Sequence, residues 1–133
     1  MKESETKAEP SIVYPEQQLT GRILEAAFAV HNALGAGFLE KVYENALLIE
    51  FRAMGISCIS QQGVQVRYRG SIVGDYQADI LVEGRVLLEL KACSALDPTH
   101  EAQIMNYLRA SGLKVGLLLN FARPKLEYRR FVN

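Results

Sequence analysis

An α/β domain, with a mixed β-sheet flanked by helices, is predicted by the way apolar spacing changes along the chain. Two stretches with helical spacing come first, a period of two takes over near Cys58, and a third helical stretch follows Asp97. The continuous apolar run from Val115 to Leu119 then has the length and character of a strand buried on both faces. The predicted order is helix, helix, three-stranded meander, helix, strand. At 133 residues, 49% hydrophobic and 23% charged, the chain suits one globular domain with one core.

Met1 to about Pro10 is polar and charge-mixed, and residues 1–18 are expected to be a partly disordered tail before a domain over 19–133. The first helix is expected after Thr20 as N-cap, with Leu19 and Leu24 forming a hydrophobic staple. Ile23, Ala27, Val30 and Leu34 then recur at helical spacing, and Gly35 and Gly37 end the helix. A second helix is expected over 39–54, with Leu39, Val42, Ala46 and Ile49 facing the core and Gly55 as its stop.

Val64, Val66 and Tyr68 alternate with Gln65 and Arg67 as a half-buried strand does. Arg69-Gly70-Ser71 turns into a strand from Ile72 to Val82, and Glu83-Gly84-Arg85 turns into another from Val86 to Ala92. Asp97 followed by Pro98 starts a helix lasting to about Ser111, with Gly112 past its end. Ile104, Met105 and Leu108 are expected on its core side, and His100, Gln103 and Tyr107 on another. Leu126 to Val132 is expected as a last edge strand.

Gln77 to Lys91 is the chemically informative stretch. A three-residue turn at 83–85 sets Asp79 opposite Glu89, to within one residue of register. Glu89 and Lys91, two apart, leave the sheet on one face while Leu88 and Leu90 leave on the other. Charges converging in so apolar a segment are costly unless paired with each other or with a metal ion. Two carboxylates offer hard oxygen ligands for Mg²⁺ or Mn²⁺, and an adjacent ammonium can orient an attacking water. The spacing alone also fits a structural charge cluster or the polar face of a hairpin.

Fifteen basic and fifteen acidic residues cancel, so no global basic field points to nucleic acid. A local patch could still form, and Arg123, Lys125, Arg129 and Arg130 with Tyr128 make a basic C-terminal segment. Cys58 and Cys93 have no zinc-type spacing and read as reduced thiols. His31 and His100 lack metal-site spacing and read as hydrogen-bonded structural residues, and Asn120 as a cap on its strand. No apolar run reaches membrane-span length and no signal-peptide core is visible, so no membrane partner is expected and the cytoplasm is the expected compartment.

Gly37-Phe38-Leu39-Glu40-Lys41-Val42-Tyr43 reads G-x-x-E-x-x-Y, with Ala78-Asp79 and Leu88-Glu89-Leu90-Lys91 in order behind it. His100-Glu101-Ala102-Gln103, Asn106-Tyr107-Leu108 and Leu119-Asn120-Phe121 follow. From about Leu19 to Val132 the chain thus resembles the GxxExxY proteins of the PD-(D/E)XK nuclease superfamily, and the resemblance implies a restriction-endonuclease-like core. It also implies that Asp79, Glu89, the Leu90 carbonyl and Glu40 hold Mg²⁺ or Mn²⁺, and that Lys91 positions the water attacking a phosphodiester. Asp79, Glu89, Lys91 and Glu40 would be catalytic, with Tyr43, Gln103 and Tyr107 supporting them. Ala78 stands where the superfamily's motif has proline, which weakens the formal match but removes no ligand. The implied function is metal-dependent hydrolysis of DNA, with a possible homodimer to cut both strands. The alternative is a non-catalytic module that keeps the fold and binds nucleic acid or protein. DNA and RNA substrates are not separated by the sequence.

Overall fold

Eight elements carry the chain in the computed structural model, which describes residues 14–133. They are α1 (Gln17–Leu34), α2 (Glu40–Ala53), β1 (Cys58–Tyr68), β2 (Ser71–Val82), β3 (Val86–Lys91), α3 (Pro98–Ser111), β4 (Val115–Asn120) and β5 (Glu127–Val132). Residues 1–13 of the expected tail lie outside the described residues. The strands form one sheet in chain order, antiparallel except for the parallel pair β3–β4. A parallel pair needs a long crossover, and α3 supplies it.

Helices cover both faces. Ile23, Ala27 and Val30 of α1 and Leu47 and Phe51 of α2 pack on Leu88, Leu90, Leu117 and Leu119. On the opposite face Ile104 and Leu108 of α3 meet Leu87 and Leu118. Every residue of β4 is buried, Val115 to Leu119 as their unbroken apolar run predicts and the polar Asn120 with them. α3 lies so close to β4 that a Cβ on Gly116 would come 2.9 Å from Ile104 Cδ1.

Three expectations need correction. α1 begins at Gln17, not after Thr20, with Glu16 in the left-handed region at its start. Thr20 is buried inside the helix, its hydroxyl donating back to the Gln17 carbonyl 3.0 Å away. The buried side of α2 is Tyr43, Glu44, Leu47 and Phe51, while Leu39 is 80% and Ile49 66% exposed. The helix carries two apolar stripes, and the one with the larger aromatic area goes inward. Tyr107, expected off the core side of α3, is buried.

The meander follows the predicted turns. Left-handed Arg69 and Gly70 close the first hairpin, and left-handed Glu83 and Gly84 fall in the second. α3 starts on the predicted Asp97 cap, whose Oδ1 accepts from the Thr99 and His100 amides, while His100 Nδ1 accepts from the Asp97 amide. Two irregularities break the long first hairpin. Gln61 in β1 has φ 56°, and the β1–β2 register shifts between Val66 and Arg67. Tyr76 and Ala78 face α3, whereas Ile80 and Val82 face α1 and α2, so β2 rolls over at Asp79, across from Gln61.

Candidate active site

β2 and β3 pair regularly only from Ile80↔Leu88 to Val82↔Val86. Beyond that ladder, at the predicted Asp79/Glu89 pair, the strands part and carboxylates fill the opening. Glu89 Oε2 accepts from the Asp79 amide at 2.9 Å, and Asp79 Oδ2 accepts from the Leu90 amide at 2.7 Å. Each acid is thereby fixed by one oxygen. Among the described residues, no hydrogen bond engages Asp79 Oδ1 or Glu89 Oε1.

Glu89 is 5% exposed. Burial, and then the charge of Asp79, push its carboxyl up to about 8. Asp79 is raised as well, by burial first, against the lowering effect of the Leu90 amide bond. Lys91 comes off β3 on the Glu89 side, and its Nζ donates to Gln103 Oε1 at 3.3 Å. Gln103 Nε2 donates in turn to the Tyr107 hydroxyl at 3.3 Å. Burial first, and then the charge of Glu89, raise the Tyr107 hydroxyl too. The predicted Asp79, Glu89, Lys91, Gln103 and Tyr107 therefore meet in one place.

α2 brings acids from the other side. Glu40 and Glu44, one helical turn apart, line a cleft of about 640 Å³ together with Lys41, Gln61 and Asp79. Glu40 is exposed, as first-turn residues commonly are. Glu44 is the buried one, at 4% exposure, held by Lys41 Nζ at 3.3 Å and by Gln61 Nε2 at 3.1 Å. Sequence reasoning passed over Glu44. The available signal was its place four residues after Glu40, between the two apolar residues Tyr43 and Leu47 that share its buried side. Tyr43 does not touch Glu40 through any hydrogen bond; its hydroxyl donates to the Gly35 carbonyl at 2.6 Å and accepts from the Phe38 amide at 3.2 Å. Its ring stacks on Phe121 at 4.6 Å, so Tyr43 fixes the loop that delivers Glu40.

The remaining candidates are structural. His31 Nε2 pairs with the Arg123 carbonyl at 2.9 Å. Asn120 bridges the Cys93 main chain, the Ala122 amide and Glu127. Arg129 pairs with Glu101 and Glu127, and Arg130 bonds the Pro15 carbonyl and lies over Tyr14, so much of the C-terminal basic segment is spent on the fold.

The donor set fits a divalent cation in a particular way. Among the described residues no three His, Cys, Asp or Glu side chains are disposed to hold a metal by themselves. Two carboxylates, each with an oxygen to spare among the described residues, suit a Mg²⁺-like ion that fills its remaining positions from other oxygen donors, water and phosphate. The same ion would relieve the mutual repulsion of the buried Glu89 and the half-buried Asp79.

The sequence pattern of the PD-(D/E)XK nuclease superfamily matches residues 17–131. Among solved structures, the crystal structure of SSO0001 superposes with a TM-score of 0.54 at 13% identity, over 89% of this chain and 59% of that one. The likeness is one of fold, and this chain spans 59% of the length of that protein. An alkaline exonuclease (LHK-Exo) from Laribacter hongkongensis aligns over 84% of this chain and 69% of its own, at 13% identity and a TM-score of 0.44. No curated protein matches the sequence.

Proposed function

Because the chain belongs to the PD-(D/E)XK nuclease superfamily, we propose that it is a Mg²⁺- or Mn²⁺-dependent nuclease acting on DNA, of the GxxExxY type that Gly37, Glu40 and Tyr43 spell out. The observation that carries this is the opening between β2 and β3, where Asp79 and Glu89 each keep one oxygen without a hydrogen-bond partner among the described residues. A metal there would supply Lewis-acid stabilisation of charge on the phosphoryl group and ease deprotonation of the nucleophile. Asp79, Glu89 and the Leu90 carbonyl would hold it, with Glu40 and the buried Glu44 reaching it directly or through water.

Lys91 places its ammonium at the site, where it orients the attacking water and stabilises charge developing on phosphorus-bound oxygen. Gln103 holds that ammonium in place and Tyr107 holds Gln103. Leu88 and Leu90 on the reverse face back the site with apolar packing and keep it dry on that side. Two free thiols, Cys58 and Cys93, suit a reducing cytoplasm. Among the described residues no helix is long and apolar enough to cross a membrane.

Cleavage of supercoiled plasmid and of an oligonucleotide with Mn²⁺ or Mg²⁺ tests the proposal. Wild type is expected to nick in a metal-dependent manner, and Asp79→Ala and Lys91→Ala are expected to lose the activity. A folded wild type that neither cleaves nor binds Mn²⁺ would instead make the chain a binding module on a nuclease fold.

A further inference from the structure

A second and larger cleft, of about 1220 Å³, opens between the β1–β2 hairpin and α3. It exists because β2 pairs with β3 only at Ile80–Val82, so the hairpin beyond Asp79 stands clear of β3 as a two-stranded arm. Gln103 and Tyr107 line this cleft while also belonging to the hydrogen-bonded chain that starts at Lys91. The groove therefore leads to the candidate active site.

Its lining combines aromatic and cationic groups. Tyr76, half-exposed, sits against Tyr107 with ring centroids 5.8 Å apart. The ring of Tyr76 lies along its own strand, because Gly74 has no side chain; a Cβ there would stand 2.8 Å from Tyr76 Cε2. Among the described residues, Arg67 and Arg109 bond only neutral partners: Gln65 Oε1 at 3.0 Å and the Gly70 carbonyl at 3.4 Å for Arg67, and Asn106 Oδ1 at 2.6 Å for Arg109. Against these two guanidinium groups, Asp75 is the one carboxylate among the described lining residues.

Aromatic rings interleaved with cations that no described carboxylate pairs suit the base faces and phosphates of nucleic acid. In a duplex the base faces are hidden by stacking on one another, so only an unpaired strand can offer them to Tyr76. We infer that this groove binds an unpaired stretch of the substrate strand, stacking a base on Tyr76 and holding phosphates with Arg67 and Arg109, and leads that strand to Lys91. The inference rests on the nuclease reading and narrows its substrate class to single-stranded or frayed nucleic acid.

Fluorescence anisotropy in EDTA, with a labelled single-stranded DNA, an RNA of the same sequence and a blunt duplex, separates binding from cleavage. The wild type should bind an unpaired strand more tightly than the duplex. Tyr76→Ala should weaken that binding about fivefold or more, in line with loss of one stacked base, leave duplex binding within about twofold, and Tyr76→Phe should restore it. Because the chain has no tryptophan, Tyr76→Trp adds a lone indole whose emission should be quenched by an unpaired strand and not by the duplex. Preference for either DNA or RNA supports the groove and identifies the sugar it accepts. Equal affinity for duplex and single strand, equal losses on both in Tyr76→Ala, or an unresponsive indole would overturn it. Metal-dependent cleavage with binding indifferent to Tyr76 would remove the groove and leave the nuclease. Tyr76-dependent strand binding without any cleavage would do the reverse.

Discussion

Glu89 is buried beside the half-buried Asp79, and its burial first, then the charge of Asp79, keeps a proton on it. A glutamate that ionises near 4.5 when unconstrained holds its proton here up to about 8. Between those values the folded state binds a proton that the unfolded chain has lost, so the metal-free protein should lose stability as pH rises from about 4.5 to 8 and change little above that. The raised Asp79 contributes in the same direction at the acid end. Urea midpoints at pH 5.5 and pH 8 in EDTA check this: the wild type should fall, and Glu89→Gln, which cannot ionise, should be markedly flatter. A wild type with no such fall would mean that the acids are better solvated than their burial implies. The convergence of Asp79, Glu89 and Lys91 was legible in the sequence because a three-residue turn fixes the register of a hairpin locally. Glu44 had only its spacing from Glu40 to mark it, which does not say which side of α2 is buried. A carboxylate on a helix becomes part of a site only through the face that docks, and α2 has two apolar stripes to choose from.

Among the elements, β3 and β4 form the spine on which the site is mounted, and the ends of both are tied together by one side chain. Asn120 is fully buried at the end of β4, donates to the Cys93 carbonyl and Glu127, and accepts from the Cys93 and Ala122 amides. Asn120→Ala strands these buried partners and should cost about 1–3 kcal/mol in equilibrium denaturation; a loss below a few tenths would show that water replaces the amide. Element types and order could be read in advance, since Val115 to Leu119 of β4 is an unbroken apolar run and Asp97-Pro98 is an unambiguous helix start. The start of α1 and the burial of Tyr107 could not, because both depend on tertiary packing. Arg85 reaches Glu16 at the head of α1 from the β2–β3 turn, and Tyr107 is drawn in by Tyr76 across the arm.

For the molecule as a whole, a cation that binds only the folded state must raise its stability by mass action, by about 2.7 kcal/mol at a hundredfold excess over Kd. Thermal melts should therefore shift upward in Mn²⁺ relative to EDTA for the wild type, and should stay put for Asp79→Asn. Equal shifts in both would place the ion elsewhere. With zero net charge, any attraction to phosphate must come from local groups, because the molecule has no global basic field. The two irregularities of β1 have a separate consequence at this scale. β1 is an outermost strand of the sheet, and such a strand presents a row of main-chain donors and acceptors on which another chain can build. Left-handed Gln61 and the slip at Val66/Arg67 interrupt that row twice within one strand. A distortion that opens room for the acids also denies a neighbouring molecule the flat template it would need to start a fibril.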